Sequence, residues 1–399
     1  MPIDTVKRNL EGALISLAYI PRGKPRGITL RSKQEILVYL LTMKAVILSG
    51  GSGQRLAPLT NTITKQLLPV ANKPTLFHIL DLIKEETPIK SVCVVVSEEY
   101  GHQVKEKLTN SEYNKYFTFD FVFQDKPLGL AHAVQITNMH IADDSFLMFL
   151  GDILINKGEL KNAYEQFIKT KPETLVLLKE IEDPRPYGIA EIENNRVLKL
   201  VEKPQNPKSN LCLSGIYFFQ PSIFYAIANI KPSYRGELEI TDSIDFQISE
   251  KKLVGYYIIK SWWFDVGTPE NMLKGNEVLL NNISNNIVPK LGSSVKINGK
   301  AIIESSVSIE DSEIIGPVII AKNSSIKGCK IGPYVSLGEN VCLKNVRIEN
   351  SIVRENTKIT NISEIVTDSV LGKNVDLACS NESKKVKLII GDDTKCISL

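Results

Sequence analysis

Between residues 314 and 348 the aliphatic side chains of this 399-residue chain fall on a step that neither a helix nor an ordinary strand can use. Ile314, Ile320, Ile326, Ile331, Leu337, Leu343 and Ile348 are separated by 6, 6, 5, 6, 6 and 5 residues. A helix returns to one face every three or four residues and a strand every two. A six-residue step with inward aliphatics instead demands a solenoid, because one repeat cannot bury its apolar corner except on the next. Gly316, Gly332, Gly338 and Gly372 mark turns, and Val, Ile, Ser and Asn dominate from about residue 286 onward. A loose β-sandwich also has short strands and turns, but seldom keeps one step over seven positions.

Upstream the texture differs. Ala45–Leu48, Val92–Val96, Phe146–Leu150, Thr174–Leu178 and Tyr217–Phe219 read as buried strands, and Leu76–Lys84 and Asn162–Lys169 as helices. Such alternation predicts a mostly parallel sheet covered on both faces, with ligands at the carboxyl ends of its strands. Gly50-Gly51 and Gly151-Asp152 both follow a strand directly, so they are expected to converge on one crevice.

The first of these turns carries the strongest chemical signal. Gly50, Gly51 and Gly53 free the backbone to aim N–H groups at an anion, and the cations Arg55 and Lys65 follow within fifteen residues of Gly50. This equipment suits a triphosphate. A dinucleotide fingerprint would need a glycine where Leu56 stands, and a Walker loop would need Gly-Lys-Ser/Thr where the chain reads Leu56-Ala57-Pro58. With Lys65-Gln66-Leu67-Leu68-Pro69-Val70 attached, the segment resembles the signature of sugar-1-phosphate nucleotidylyltransferases.

The resemblance runs through residues 43–285 and implies a role for each further segment. Gln124, with Gly129 five residues on, resembles the loop that receives a nucleotide base; an amide both donates and accepts, as a pyrimidine edge requires. His132 in the same stretch is expected to pack a helix. Asp152 and Asp265 stand where the family holds magnesium, a hard cation for which few carboxylates suffice. Tyr187, Gly188, Glu202, Lys203 and Leu213 resemble the sugar-phosphate half, with Lys203 meeting the phosphate and Glu202 the hydroxyls. Arg235-Gly-Glu-Leu-Glu-Ile-Thr-Asp242 also matches, without a role that can be derived physically. Arg55 and Lys65 are the expected catalytic pair, and Mg²⁺ the expected cofactor.

The resemblance is nearest to the longer glucose-1-phosphate thymidylyltransferases, and it implies a Rossmann-like nucleotidyltransferase sheet followed by a left-handed parallel β-helix. Gln54 and Val266 depart from positions where Thr is frequent. The implied reaction joins a nucleoside triphosphate, dTTP, to glucose 1-phosphate. UTP use stays open, as does a non-catalytic regulatory subunit of the same layout, although Arg55, Lys65, Asp152, Lys203 and Asp265 are all present.

Composition narrows the partners. The net charge is +3, with no dense basic run for nucleic acid, and no apolar stretch approaches 18 residues, so no membrane span is expected. Six cysteines at 93, 212, 329, 342, 379 and 396 make no CxxC pair, which suits a reduced, cytoplasmic compartment. Residues 1–42 carry seven Lys/Arg against three acids; Met43 abuts the first core strand, so they are expected to be a dispensable extension before domains at 43–285 and 286–399. All four histidines precede residue 141. A solenoid without the commonest general base is expected to serve assembly into a homo-oligomer rather than acetyl transfer.

Overall fold

The computed structural model describes residues 43–51, 53–194, 196–378 and 385–397; the 1–42 extension lies outside them. The first strand, β1 (Lys44–Ser49), leads through the glycine turn and two short 3₁₀ turns to helix α1 (Thr75–Glu86). Then come β2 (Ser91–Ser97), α2 (Gly101–Thr109), β3 (Thr118–Gln124), α3 (Leu130–Gln135) and β4 (Phe146–Leu150). A short β5 (Ile153–Ile155) precedes α4 (Glu159–Thr170), β6 (Thr174–Glu180), β7 (Gly188–Glu193), β8 (Arg196–Glu202) and β9 (Leu211–Phe219). This part closes with α5 (Ser222–Ala228), α6 (Ile240–Ser249), β10 (Val254–Ile258), β11 (Trp263–Asp265) and α7 (Pro269–Asn281).

Nine strands form one sheet in the order β8-β7-β9-β4-β1-β2-β3, with β6 beside β9 and β10 beyond it. Pairing is parallel across β4-β1-β2-β3 and between β10 and β6. Strand β9 runs antiparallel to β4, β6 and β7, so the Rossmann-like half is continued by a mixed one. The apolar runs of β1 and β2 are buried on both faces, as central parallel strands require. Helix α1 buries Leu76, Ile79, Leu80 and Ile83, the i, i+3, i+4, i+7 stripe of a helix lying on a core. Strand β9 starts six residues before the apolar run that announces it in the sequence. Gly215, at φ 84°, sits in a register shift between Leu213 and Tyr217 that interrupts the pattern without ending the strand. Cys93 is 2% exposed on β2, and burial pushes its thiol up to about 12, leaving it a small hydrophobe. Among the described residues no helix is long and apolar enough to cross a membrane.

From Asn286 the chain winds into a left-handed parallel β-helix of three sheets with seven, six and six strands. The seven aliphatics on the six-residue step are all buried, none more than 1% exposed. Stacking explains why. Ile314, Ile331 and Ile348 lie one above another in one sheet, Ile320 and Leu337 in the second, and Ile326 and Leu343 in the third. The corners are turned by residues in left-handed conformation, which asparagine tolerates better than most. Asn323, Asn340, Asn356, Asn374 and Asp393 all have φ between 56° and 60°. Asn340, Asn356 and Asn374 each donate an amide N–H to the side-chain oxygen of the next, the last to Asp393.

One outer face of this solenoid is not exposed. Ile352 and Val370, both 0% exposed, join Leu56, Leu59, Leu68, Val70, Leu154, Val266, Met272 and Leu273 in a shared apolar cluster. Asn276 on α7 donates to Tyr334 O at 3.2 Å and accepts from the Ser336 hydroxyl and the Ala71 N–H. The β-helix is thus packed on α7 and on the segment that follows the glycine turn.

Candidate active site

Parallel pairing of β1 with β4 brings the two strand-end turns side by side; Gly151 N–H donates to Leu48 O at 2.9 Å. After β1 the chain turns tightly at Gly53, at φ 67°, where a Cβ would stand 2.8 Å from Thr60 Cγ2. No other residue fits such a left-handed, crowded position without strain. A Cβ at Gly51 would meet Lys65 Cε at 3.1 Å, and one at Gly50 would meet Gln124 Oε1 at 3.4 Å. The turn therefore passes beneath both the lysine and the amide at the end of β3.

The two aspartates are brought together by a small ribbon. Strand β5 pairs antiparallel with β11, Asp265 opposite Ile153, and Val266 N–H donates to Asp152 O at 3.0 Å. Each carboxylate has its own cation. Lys65 Nζ is ion-paired with Asp152 Oδ2, and Arg55 Nη2 stands 3.5 Å from Asp265 Oδ2. Burial and the neighbouring Asp152 charge push the Asp265 carboxyl above its usual range, while Lys65, Arg55 and the Gly267 N–H pull it back. The lysine and both aspartates are at most 16% exposed, whereas Arg55 is 62% exposed and reaches toward solvent.

A second group of side chains forms beside the ribbon where β7 pairs with β8. Gly188 lies opposite Glu202, and Lys203 N–H donates to Tyr187 O at 3.1 Å. A Cβ at Gly188 would strike Leu213 Cδ1 and Thr241 Cγ2 at 2.8 Å and Glu202 Oε2 at 3.0 Å, which draws these residues into one wall. Lys203 adopts φ 42° and stands 3.7 Å from Glu202. Tyr187 links the halves: its ring meets Trp263 edge-on at 5.5 Å, and burial, with Asp265 next, pushes its hydroxyl up to about 12. It stays a neutral donor near pH 7.

Three partners were not evident in the sequence. Arg235 Nη1 and Nη2 reach Glu239 and Glu237 at 3.1 Å and Glu202 at 3.6 Å, so the Arg-Gly-Glu-Leu-Glu segment is a clamp that turns a guanidinium on Glu202. Burial and Glu239 raise the Glu202 carboxyl, and Lys203 and Arg235 oppose that. His132, beyond packing α3, places Nδ1 3.0 Å from Gln124 Nε2; with the amide donating, the ring holds Gln124 in one orientation. The space at Gly129 is filled by the Leu238 backbone, at 2.4 Å from a would-be Cβ, so this glycine serves the packing of α3's start against residue 238. Only an alignment of contacts in three dimensions could have revealed these pairings.

Two carboxylates with only hard oxygen donors, Asp152 buried and Asp265 half-buried, match a small divalent cation, and among the described residues no group of three or more Asp, Glu, His or Cys could hold a metal ion. Residues 44–282 match the family described as Nucleotidyl transferase. The chain belongs to the nucleotidyl transferase family. It is 34% identical over 355 residues to glucose-1-phosphate thymidylyltransferase of Streptomyces griseus, covering 88% of this chain and 99% of that one. It is 36% identical over 342 residues to the bifunctional protein GlmU of Methanocaldococcus jannaschii, covering 85% and 79%. A solved Bacillus anthracis structure assigned as a glucose-1-phosphate thymidylyltransferase, with sucrose bound, superposes with a TM-score of 0.56 at 32% identity, over 61% of this chain and 97% of that one. This chain is accordingly a nucleotidyltransferase enzyme.

Proposed function

We propose that this nucleotidyltransferase makes dTDP-glucose and pyrophosphate from dTTP and glucose 1-phosphate. A phosphate oxygen of the sugar 1-phosphate forms a bond to the α-phosphorus, and the bond from that phosphorus to the bridging oxygen breaks. The electron pair leaves with pyrophosphate. The attacking oxygen is already anionic, so no protein nucleophile or general base is needed. Arg55 and Lys65 hold the triphosphate over Gly50, Gly51 and Gly53 and offset charge that grows on the leaving group. Gln124, oriented by His132, meets the base. Tyr187, Gly188, Glu202, Lys203 and Leu213 seat the sugar phosphate. Asp152 and Asp265 would hold Mg²⁺, which supplies charge neutralisation at the phosphates.

The observation that carries this proposal is the pairing of two cations with two aspartates, Lys65 with buried Asp152 after β4 and Arg55 with half-buried Asp265 at the end of β11. Lys65 and Arg55 each balance one carboxylate; Asp152 and Asp265 would hold the divalent ion, and the two cations would then be available to phosphate. The names of the relatives support thymidylyl transfer, but thymine and uracil differ by one methyl, worth about 1–3 kcal/mol of discrimination. We further place the enzyme in the cytoplasm as a homo-oligomer, with residues 1–42 a dispensable extension before domains at 43–285 and 286–399.

Pyrophosphate release measured across dTTP, UTP, ATP and GTP, each with a set of sugar 1-phosphates, tests the assignment. The highest kcat/KM is expected for dTTP with glucose 1-phosphate in the presence of Mg²⁺. A preference for UTP would make the enzyme a uridylyltransferase. No product from any pair would favour a regulatory subunit.

A further inference from the structure

The last coil of the β-helix touches the loop that bears Arg55 and Lys65. Asp392 Oδ2 accepts the Thr62 hydroxyl at 2.6 Å, and its Oδ1 accepts from Arg354 Nη1 and from the Lys373 N–H, both at 2.8 Å. The Arg354 and Asp392 side chains are 4% and 0% exposed, so the carboxylate is held from three sides. Next to it, a Cβ at Gly391 would lie 3.0 Å from Pro58 O, which shows how closely the coil approaches the loop. On the loop's other flank, Tyr100 and Gln103 at the start of α2 donate to Asn61 O at 3.1 Å and Thr62 O at 2.9 Å. Leu56 and Leu59 are pinned below against Ile352 and Val370. Thr62 itself is exposed, three residues before Lys65 and seven after Arg55.

We propose that Asp392 is a positioning residue for nucleotidyl transfer: through Thr62 it sets where the loop holds Arg55 and Lys65, which makes the final coil part of the catalytic apparatus. The proposal rests on assigning those two cations to the triphosphate. A loop free to shift would leave both charges misplaced, and small misplacements of such groups cost rate steeply.

Thr62→Val in the full chain removes the hydroxyl while leaving the buried Arg354–Asp392 pair intact; Thr62→Ser keeps the hydroxyl. We expect Thr62→Val to lower kcat/KM for dTTP by about ten- to a hundredfold, as loss of one hydrogen bond to a charged group implies. KM for glucose 1-phosphate should hold, and Thr62→Ser should restore dTTP kinetics. Unchanged kcat and kcat/KM for dTTP in Thr62→Val, whatever happens to the melting temperature, would overturn the proposal. Arg55→Ala separates the two levels: if it too leaves dTTP kinetics unchanged, the assignment of the cations fails; if it alone disables dTTP use, only the coupling fails.

Discussion

Burial and the Asp152 charge raise the Asp265 carboxyl, and Lys65, Arg55 and the Gly267 N–H oppose that shift. Replacing either aspartate by Asn keeps the shape and removes one of the two charges proposed to hold Mg²⁺. Turnover of Asp152→Asn or Asp265→Asn should fall by about 10²–10³-fold or more with the melting curve little changed. Near-normal rates at limiting Mg²⁺ would mean that the metal is held elsewhere. The cations make a second, ordered prediction. With Arg55 and Lys65 facing the departing pyrophosphate, as proposed, Arg55→Ala and Lys65→Ala should both cost kcat; Lys203→Ala, beside Glu202, should appear mainly in KM for the sugar phosphate. Steady-state kinetics with the reverse order would exchange the two halves of the site. Residues with their own local grammar were legible in the sequence: glycines after a strand, an aspartate after a strand. Arg235 and His132 were not, because their importance lies in partners 33 and 8 residues away, Glu202 and Gln124, which no spacing rule connects.

At the scale of elements, the β-helix is the most predictable part, since a repeat states its own contacts. The stacked asparagines were less visible: five corner residues share a left-handed φ, yet they are spaced by 16 to 19 residues and read singly as turn formers. Asn356→Ala puts a Cβ-bearing residue without a local hydrogen bond at φ 58° and breaks bonds to Asn340 and Asn374. A loss of about 1–2 kcal/mol in chemical denaturation is expected, with Asn356→Gly losing less because glycine accepts that backbone. Equal losses would rule out the conformational explanation. The solenoid should also lack acetyl transfer despite the likeness to a protein named bifunctional, since no histidine lies beyond residue 140. Thiol release from acetyl-CoA with glucosamine 1-phosphate would contradict this.

Across the whole molecule, the strand–helix alternation foretold a sheet with ligands at its carboxyl edge, but not the antiparallel insertion of β9, whose apolar run is broken by Ser214-Gly215. Nor could the sequence show which outer face of the solenoid is covered. Ile352 and Val370 occupy outward positions that would look the same in an isolated coil, and only the packing against Leu56, Leu59 and α7 distinguishes them. That packing matters because it places the solenoid under the loop of the two cations. The proposed reaction is a single displacement driven by positioned charge, with no protein nucleophile. The stereochemical course at the α-phosphorus tests it most directly. With dTTP chiral at an α-phosphorothioate, one in-line displacement inverts the configuration, and inversion in the dTDP-glucose analogue is the result we expect. Retention would require two displacements through a covalent nucleotidyl-enzyme, and would contradict the account.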